Sequence, residues 1–138
     1  ADARQDYEGQ AAMQLEALVE APRPLDGGWR LDGGVLDFSP LLAFLIDEAP
    51  DTRTGADLFH GTLAVGIAEW IAADPQATPG AQIALSGGCM MNRVLAEDLS
   101  ARLRAKGLDV LHARVAPAND GGLSLGQAAV ARALLSGS

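Results

Sequence analysis

Cysteine and basic side chains are scarce in this sequence, and each shortage excludes a class of protein or site. The single cysteine, Cys89, excludes an internal disulfide and a zinc site made only of cysteines, and it favours a reducing, cytoplasmic setting. The 10 lysines and arginines stand against 18 acidic residues and form no cluster, so the net charge of -8 argues against direct nucleic-acid binding. No run of about 18 uninterrupted apolar residues occurs, so we expect no membrane partner.

Hydrophobic residues, by contrast, are plentiful. They make up 49% of the 138 residues, which is enough to bury one core without disulfides or structural metals. We therefore expect residues 1–138 to form a single domain. The chain begins with Ala1 rather than Met and enters a helix-like pattern within a few residues, which indicates a piece of a longer protein.

Apolar periodicity and turn residues predict alternating helices and strands, and therefore an α/β fold. The predicted elements are a helix at 10–20, a hairpin of strands 29–31 and 35–38, a helix from Ser39-Pro40 to Pro50, a polar link at 51–54, a helix at 56–73, a strand at 82–86, a helix ending at Lys106-Gly107, a strand at 108–111 and a helix at 123–135. The core face of the long helix is predicted to carry Phe59, Leu63, Ile67, Trp70 and Ile71. The last two strands, joined by one helix, should be parallel neighbours.

The segment from Ile83 to Arg93 has the pattern of a buried strand, a glycine turn and the start of a helix. Gly87 and Gly88 let a ligand approach the main chain closely, and a helix beginning near Met91 would offer free N–H groups at its positive end. This design suits a phosphate or nucleotide. The segment lacks the Lys-Ser/Thr of a P-loop and the third glycine of a dinucleotide fold, so a purely structural turn is the alternative.

Three polar residues next to turns or apolar faces could either bind a ligand or stabilise a helix. Asp120, followed by two glycines, fits a helix cap or a carboxylate ligand for a metal or a phosphate-bound cation. Glu8 fits an electrostatic cap or a contact to a ligand hydroxyl. His60 has no histidine, cysteine or carboxylate three or four positions later, so we expect a packed or capping residue rather than a metal ligand.

Several short motifs rich in glycine and polar residues follow one another along the chain. They are Tyr7-Glu8-Gly9-Gln10-Ala11-Ala12, Phe59-His60, Ser86-Gly87-Gly88 with Asn92 and Arg93, Pro117 with Asn119-Asp120-Gly121-Gly122, and Gly126-Gln127-Ala128. In this order, and over nearly the whole chain, they resemble the C-terminal part of the hydrogenase-maturation carbamoyltransferases, the HypF family.

That resemblance implies an enzyme and a fold. Members of the family use carbamoyl phosphate and ATP to make carbamoyl adenylate, and pass the carbamoyl group to the C-terminal cysteine of a partner, HypE, for the cyanide ligands of nickel-iron hydrogenase. The relevant domain has a duplicated actin-like, sugar-kinase-like (ASKHA) fold, with nucleotide between two lobes that are each a mixed sheet flanked by helices. The resemblance implies that this chain is most of the second lobe.

The resemblance also implies site residues. Gly87 and Gly88 resemble the loop that faces the nucleotide phosphates, and Asn92 resembles a side chain that contacts the nucleotide. Gly9 resembles a glycine beside the ribose, with Glu8 next to it. Asp120 resembles an aspartate that helps to hold an iron or zinc ion, whose remaining ligands, including a histidine pair, lie in the first lobe.

The sequence departs from the family pattern in three respects. It contains no His-x-x-x-His pair, because His60 and His112 are far apart, and the domains expected before Ala1 are missing. Cys89 stands where we expect an apolar residue and has no activating base or cation beside it, so we expect a small packed residue rather than a nucleophile. We therefore expect the isolated chain not to catalyse carbamoyl transfer by itself.

Two alternatives remain. The chain could be a non-catalytic folded fragment or docking module, whose uncovered apolar face would make the isolated chain self-associate. It could also belong to the related tRNA threonylcarbamoyl or antibiotic O-carbamoyl transferases, although its Tyr-Glu-Gly-Gln and Asn-Asp-Gly-Gly motifs argue against them.

Overall fold

The computed structural model describes residues 9–112 and 120–136. In chain order the elements are α1 (Gln10–Glu16), β1 (Arg30–Asp32), β2 (Val35–Asp37), α2 (Ser39–Asp47), α3 (Thr52–Ala72), β3 (Gln82–Leu85), a 3₁₀ turn (Gly88–Met91), α4 (Arg93–Ala105), β4 (Asp109–His112), a 3₁₀ turn (Asp120–Gly122) and α5 (Leu123–Ser136). The predicted α/β class, with small sheets flanked by helices, is confirmed. None of the described helices is both long and apolar enough to cross a membrane.

Two small sheets are present in these residues. β1 and β2 form an antiparallel hairpin in which Asp32 lies opposite Val35, as the Gly33-Gly34 pair predicts. β3 and β4 are parallel, with Ile83 opposite Val110, which confirms the predicted crossover through α4.

The main core lies between α3, α4 and the β3–β4 sheet. Leu95, Leu99 and Leu103 recur every four residues on one face of α4 and pack against Ala64 and Ala68 of α3. All five side chains are at most 6% exposed. The short alanine side chains leave room for the three leucines, so α3 and α4 form one rigid pair.

The predicted core face of α3 is only partly correct. Leu63, Ile67 and Ile71 do pack against this core. Phe59 is half-buried outside the core cluster and Trp70 is 46% exposed. The indole Nε1–H of Trp70 donates to the carbonyl of Gly34 at 2.7 Å, so the ring serves to hold the β1–β2 hairpin onto α3.

α1 ends at Glu16, four residues before the predicted end at Glu20. The cause is a buried carboxylate on α3. Asp57 Oδ1 accepts hydrogen bonds from the amides of Glu20 and Ala21 at 2.9 and 3.0 Å, so these amides bond to α3 instead of continuing the helix. Farther along, the Leu25 amide donates to Thr62 Oγ1 at 2.8 Å, which lays this segment along α3.

The predicted polar link at 51–54 is wrong, because α3 begins at Thr52. Asp51 caps this helix: its Oδ1 accepts from the amides of Arg53 and Thr54, each at 3.1 Å. The hydroxyl and amide of Thr54 hold the pKa of the Asp51 carboxyl below its usual value. An aspartate at an N-cap is a signal that the sequence contains and that the apolar periodicity alone does not use.

Gly61 is expected to be intolerant of any side chain. A Cβ there would lie 2.4 Å from the backbone of Arg23, whereas a Cβ on Gly126 in α5 would meet no atom within 4 Å among the described residues. Gly61→Ala should therefore destabilise the chain by about 1–3 kcal/mol through overpacking. The matched control, Gly126→Ala, should be neutral or stabilising by up to about 1 kcal/mol. Urea unfolding measures both, and equal effects would contradict the packing described here.

The cap at Asp51 predicts a pH-dependent stability effect. Because its folded-state pKa is lowered, the ionised carboxylate contributes stability above the ordinary pKa of 3.8 and loses that contribution as the pH falls through the folded value. Asp51→Ala should therefore lower the midpoint of thermal unfolding at pH 6, and this effect should shrink as the pH falls below 3.8. Asp26→Ala, at an exposed aspartate, is the control and should show no such difference. A pH-independent effect of Asp51→Ala would contradict the assignment.

Candidate functional site

The glycine turn lies at the carboxyl edge of the parallel sheet. Because Leu85 lies opposite His112, β3 and β4 end at the same edge, and Ser86 to Asn92 continue directly from β3 there. This is the edge at which ligands bind in open α/β sheets. The segment 113–119, which follows β4 and includes Pro117 and Asn119, lies outside the described residues.

The two glycines of the turn differ in whether their backbone conformation needs a glycine. Gly87 has φ +98° and ψ 165°, a conformation that only glycine adopts without strain. Gly88 has no such constraint, and a Cβ added to it would meet nothing within 4 Å. By contrast, a Cβ on Gly66 would lie 2.7 Å from the Phe38 ring. Packing thus explains the glycine at 66 but not the one at 88, where the empty space faces outward.

Unpaired backbone donors lie in the turn, whereas two of the first amides of α4 have acceptors. The amide of Arg93 donates to Glu16 Oε1 at 2.8 Å and the amide of Leu95 donates to Asn92 Oδ1 at 2.9 Å, so these donors are already used. In the described part of the chain, no acceptor is hydrogen-bonded to the amides of Gly88 and Cys89. Adjacent N–H groups without an acceptor can bind an anion.

Asn92 has a structural role that is not predicted from the sequence. It is the N-cap of α4, and its side chain also contacts a buried histidine: Nδ2 lies 2.8 Å from His60 Nε2. The other ring nitrogen, Nδ1, lies 2.9 Å from the carbonyl of Ala56. His60 is only 2% exposed, and the Phe59 ring meets it edge-on at a centroid distance of 5.5 Å. The expectation that His60 is a packed residue is therefore confirmed.

The structure describes the remaining candidate residues, Gly9, Glu8 and Asp120, only in part. Gly9, with φ +83°, directly precedes α1 and its carbonyl accepts from the Met13 amide at 3.0 Å. Glu8 lies outside the described residues. The backbone of Asp120 begins the 3₁₀ turn that leads into α5, a position that fits both a cap and a ligand.

One contact at the site is not predicted from the sequence. The Arg93 amide is hydrogen-bonded to Glu16, which connects α1 with the start of α4, and the two residues are 77 positions apart in the sequence.

The expectation that Cys89 is packed is wrong, because its side chain is exposed. In the 3₁₀ turn from Gly88 to Met91, the Cys89 side chain is on the outside, while Met90 packs against the core.

His112, the other histidine of the chain, also has a hydrogen-bond partner: its Nε2 lies 3.0 Å from Ser100 Oγ. Within residues 9–112 and 120–136, no three His, Cys, Asp or Glu side chains are grouped so that they could hold a metal ion.

Comparison with known sequences gives a consistent set of relatives. Residues 1–127 match the family model described as carbamoyltransferase, Kae1-like domain, second subdomain. The chain is 54% identical to carbamoyltransferase HypF of Rhizobium leguminosarum bv. viciae, over 95% of this chain and 17% of that protein. It is 41% identical to carbamoyltransferase HypF2 of Cupriavidus necator, over 91% of this chain and 19% of that protein.

A solved structure is similar over the same extent. The crystal structure of a full-length HypF in the phosphate- and nucleotide-bound form matches with a TM-score of 0.79 and 30% identity, covering 98% of this chain and 19% of that one. This similarity agrees with the predicted ASKHA lobe. The chain spans roughly a fifth of the length of these relatives.

Proposed function

We propose a function from one premise: this chain belongs to the HypF carbamoyltransferase family, as the second subdomain of its Kae1-like domain. The family resemblance expected from the motifs is thereby confirmed. We propose that the chain supplies one wall of a nucleotide site, in which the turn formed by Gly87, Gly88 and Cys89 receives phosphate groups of ATP and of carbamoyl adenylate. Asn92 borders this wall, and Gly9 and Glu8 are proposed to lie on the ribose side.

The observation that carries this proposal is the unexplained glycine at position 88. Its surroundings are open and, together with Cys89, it presents amides that make no hydrogen bond within the described residues. Backbone N–H groups at a strand-to-helix turn bind phosphate oxygens, and we propose that a Cβ at this position would obstruct a phosphate bound to them. The rigid α3–α4 pair behind the turn holds these donors in place before a ligand arrives, which reduces the cost of binding.

For the full protein we propose the reaction of the family: carbamoyl phosphate and ATP are converted through carbamoyl adenylate, and the carbamoyl group passes to the C-terminal cysteine of HypE for hydrogenase maturation. We propose a cytoplasmic location for this reaction. We propose that the reaction also requires domains of the full protein outside this chain, and that the isolated chain does not catalyse it. Because the relatives described above are HypF proteins, the tRNA-modifying and antibiotic-modifying transferases are a weaker alternative.

Asp120 is our proposed contribution to a divalent metal site, with iron or zinc as the ion. A carboxylate is a suitable oxygen ligand, but the described residues contain no group of three ligating side chains, so this chain fits only part of such a site. Its other ligands would come from the first lobe. When bound, a divalent cation would polarise a carbamoyl or phosphoryl oxygen.

A docking role for the same chain is the second candidate, and one observation favours it. α5 exposes large apolar side chains, each at least 53% accessible: Leu123, Leu125, Val130, Leu134 and Leu135. A surface of this kind is normally covered by another part of the protein or by a partner. We therefore propose that the isolated chain self-associates, whereas the full protein covers α5 with its own domains.

The nucleotide wall is tested by Gly88→Ala in the full-length protein. The added methyl group meets no described atom, so the midpoint of thermal unfolding should change little, while ATP affinity should fall at least tenfold, about 1.4 kcal/mol. Gly55→Ala in α3 is the control; a Cβ there would make only ordinary contacts of 3.8 Å or more, so ATP affinity should be unchanged. Isothermal titration calorimetry measures the affinities. Unchanged ATP binding by Gly88→Ala would contradict the proposal.

The metal role is tested by Asp120→Ala in the full-length protein, with Asp47→Ala at an exposed helix end as the control. Loss of a metal ligand should lower iron or zinc content and carbamoyl-phosphate-dependent ATP–pyrophosphate exchange while leaving the fold nearly intact. A loss of about 1 kcal/mol in stability with unchanged metal content would instead identify a helix cap and refute the ligand role.

A further inference from the structure

We infer that His60 is a positioning residue for the nucleotide-binding turn, an inference that rests on the proposed function. The side chain lies on α3, is 2% exposed and does not belong to the turn, yet its ring contacts Asn92 at the junction of the turn and α4. His60 holds the Asn92 amide in one orientation, and Asn92 holds the end of the turn.

The hydrogen-bond partners define a single tautomer of His60. The carbonyl of Ala56 can only accept, so the ring nitrogen 2.9 Å away, Nδ1, carries the proton and donates. The Asn92 oxygen accepts from the Leu95 amide, so the amide nitrogen is the group that faces Nε2 at 2.8 Å. An amide nitrogen only donates, so Nε2 accepts. The two ends of the nearly symmetric Asn92 amide therefore have different partners.

The orientation set by His60 determines what Asn92 can do. Its oxygen is directed to the Leu95 amide at 2.9 Å, where it caps α4, and one N–H is directed to His60. An asparagine amide has two N–H donors, so one remains for a ligand. If Asn92 turned away, the buried Nε2 of His60 would lose its donor, which is unfavourable. His60 and the Leu95 amide thus keep Asn92 in one orientation, in which the second N–H is proposed to be the donor to nucleotide.

Backbone hydrogen bonds connect Asn92 with the rest of the turn. The Asn92 amide donates to the carbonyl of Cys89 at 3.2 Å, and the Met90 amide donates to the carbonyl of Gly87 at 3.0 Å, closing the turn that presents the Gly88 and Cys89 donors. From the opposite side, the Glu16 carboxylate holds the Arg93 amide. The turn is therefore fixed at its α4 end by one residue of α3 and one of α1.

Two substitutions separate this role from simple packing. In His60→Gln, the longer amide places an acceptor oxygen near the position of Nε2 and can still receive the Asn92 N–H. In His60→Asn, the shorter amide can replace only Nδ1 and leaves Asn92 without its acceptor. Both remove an imidazole from the same buried position. Losing the Nδ1 bond itself costs little, since in the helix the Ala56 carbonyl also accepts the backbone amide four residues later.

The experiment measures ATP affinity by calorimetry and the midpoint of thermal unfolding for both variants in the full-length protein. Positioning predicts that His60→Asn weakens ATP binding roughly three- to tenfold, and that His60→Gln restores most of it even if both variants lower the midpoint similarly. Equal ATP affinities of the two variants would refute the positioning role while leaving the nucleotide site intact. Failure of the unsubstituted protein to bind ATP would refute the nucleotide site, and with it the present inference.

Amide hydrogen exchange tests the positioning role without any nucleotide. Amide hydrogen exchange of a peptide covering 86–95 should be faster in His60→Asn than in His60→Gln, because only the former releases Asn92 and loosens the turn. Exchange that is equal in the two variants would contradict the positioning role whether or not ATP binds.

Discussion

The packing of α4 leucines against the alanine face of α3 is the constraint on which the candidate site depends. Leu95, Leu99 and Leu103 are nearly inaccessible, and burial of each leucine contributes on the order of 1.5–3 kcal/mol. This contact also sets the relative position of His60 and Asn92, which meet at 2.8 Å just beyond it. The hydrophobic core and the polar junction that supports the glycine turn are therefore parts of one arrangement.

The turn combines rigid support with open donors. The Arg93 and Leu95 amides at the start of α4 are engaged by Glu16 and by the Asn92 side chain, so α4 does not present these two to a ligand. The Gly88 and Cys89 amides in the preceding turn make no hydrogen bond within the described residues, and a Cβ on Gly88 would meet no described atom within 4 Å. A phosphate group would therefore meet fixed backbone donors, an arrangement that requires little reorganisation on binding.

The sequence predicts the local elements well and the long-range polar contacts poorly. Period-four leucines, the Gly33-Gly34 hairpin and the strand before Gly87 are local patterns, and all three appear as expected. The early end of α1 is not predictable, because it depends on Asp57, which is 36 and 37 residues from the amides that it binds. The His60–Asn92 contact is hidden in the same way, since each residue has a sufficient local explanation on its own.

The most direct measurement of the central claim is a crystal structure of the full-length protein with a bound adenine nucleotide. Our account predicts phosphate oxygens within about 2.7–3.2 Å of the amide nitrogens of Gly88 and Cys89, with the Asn92 oxygen still bonded to the Leu95 amide. A nucleotide bound with its phosphates away from this turn, or an Asn92 side chain rotated away from His60, would contradict it.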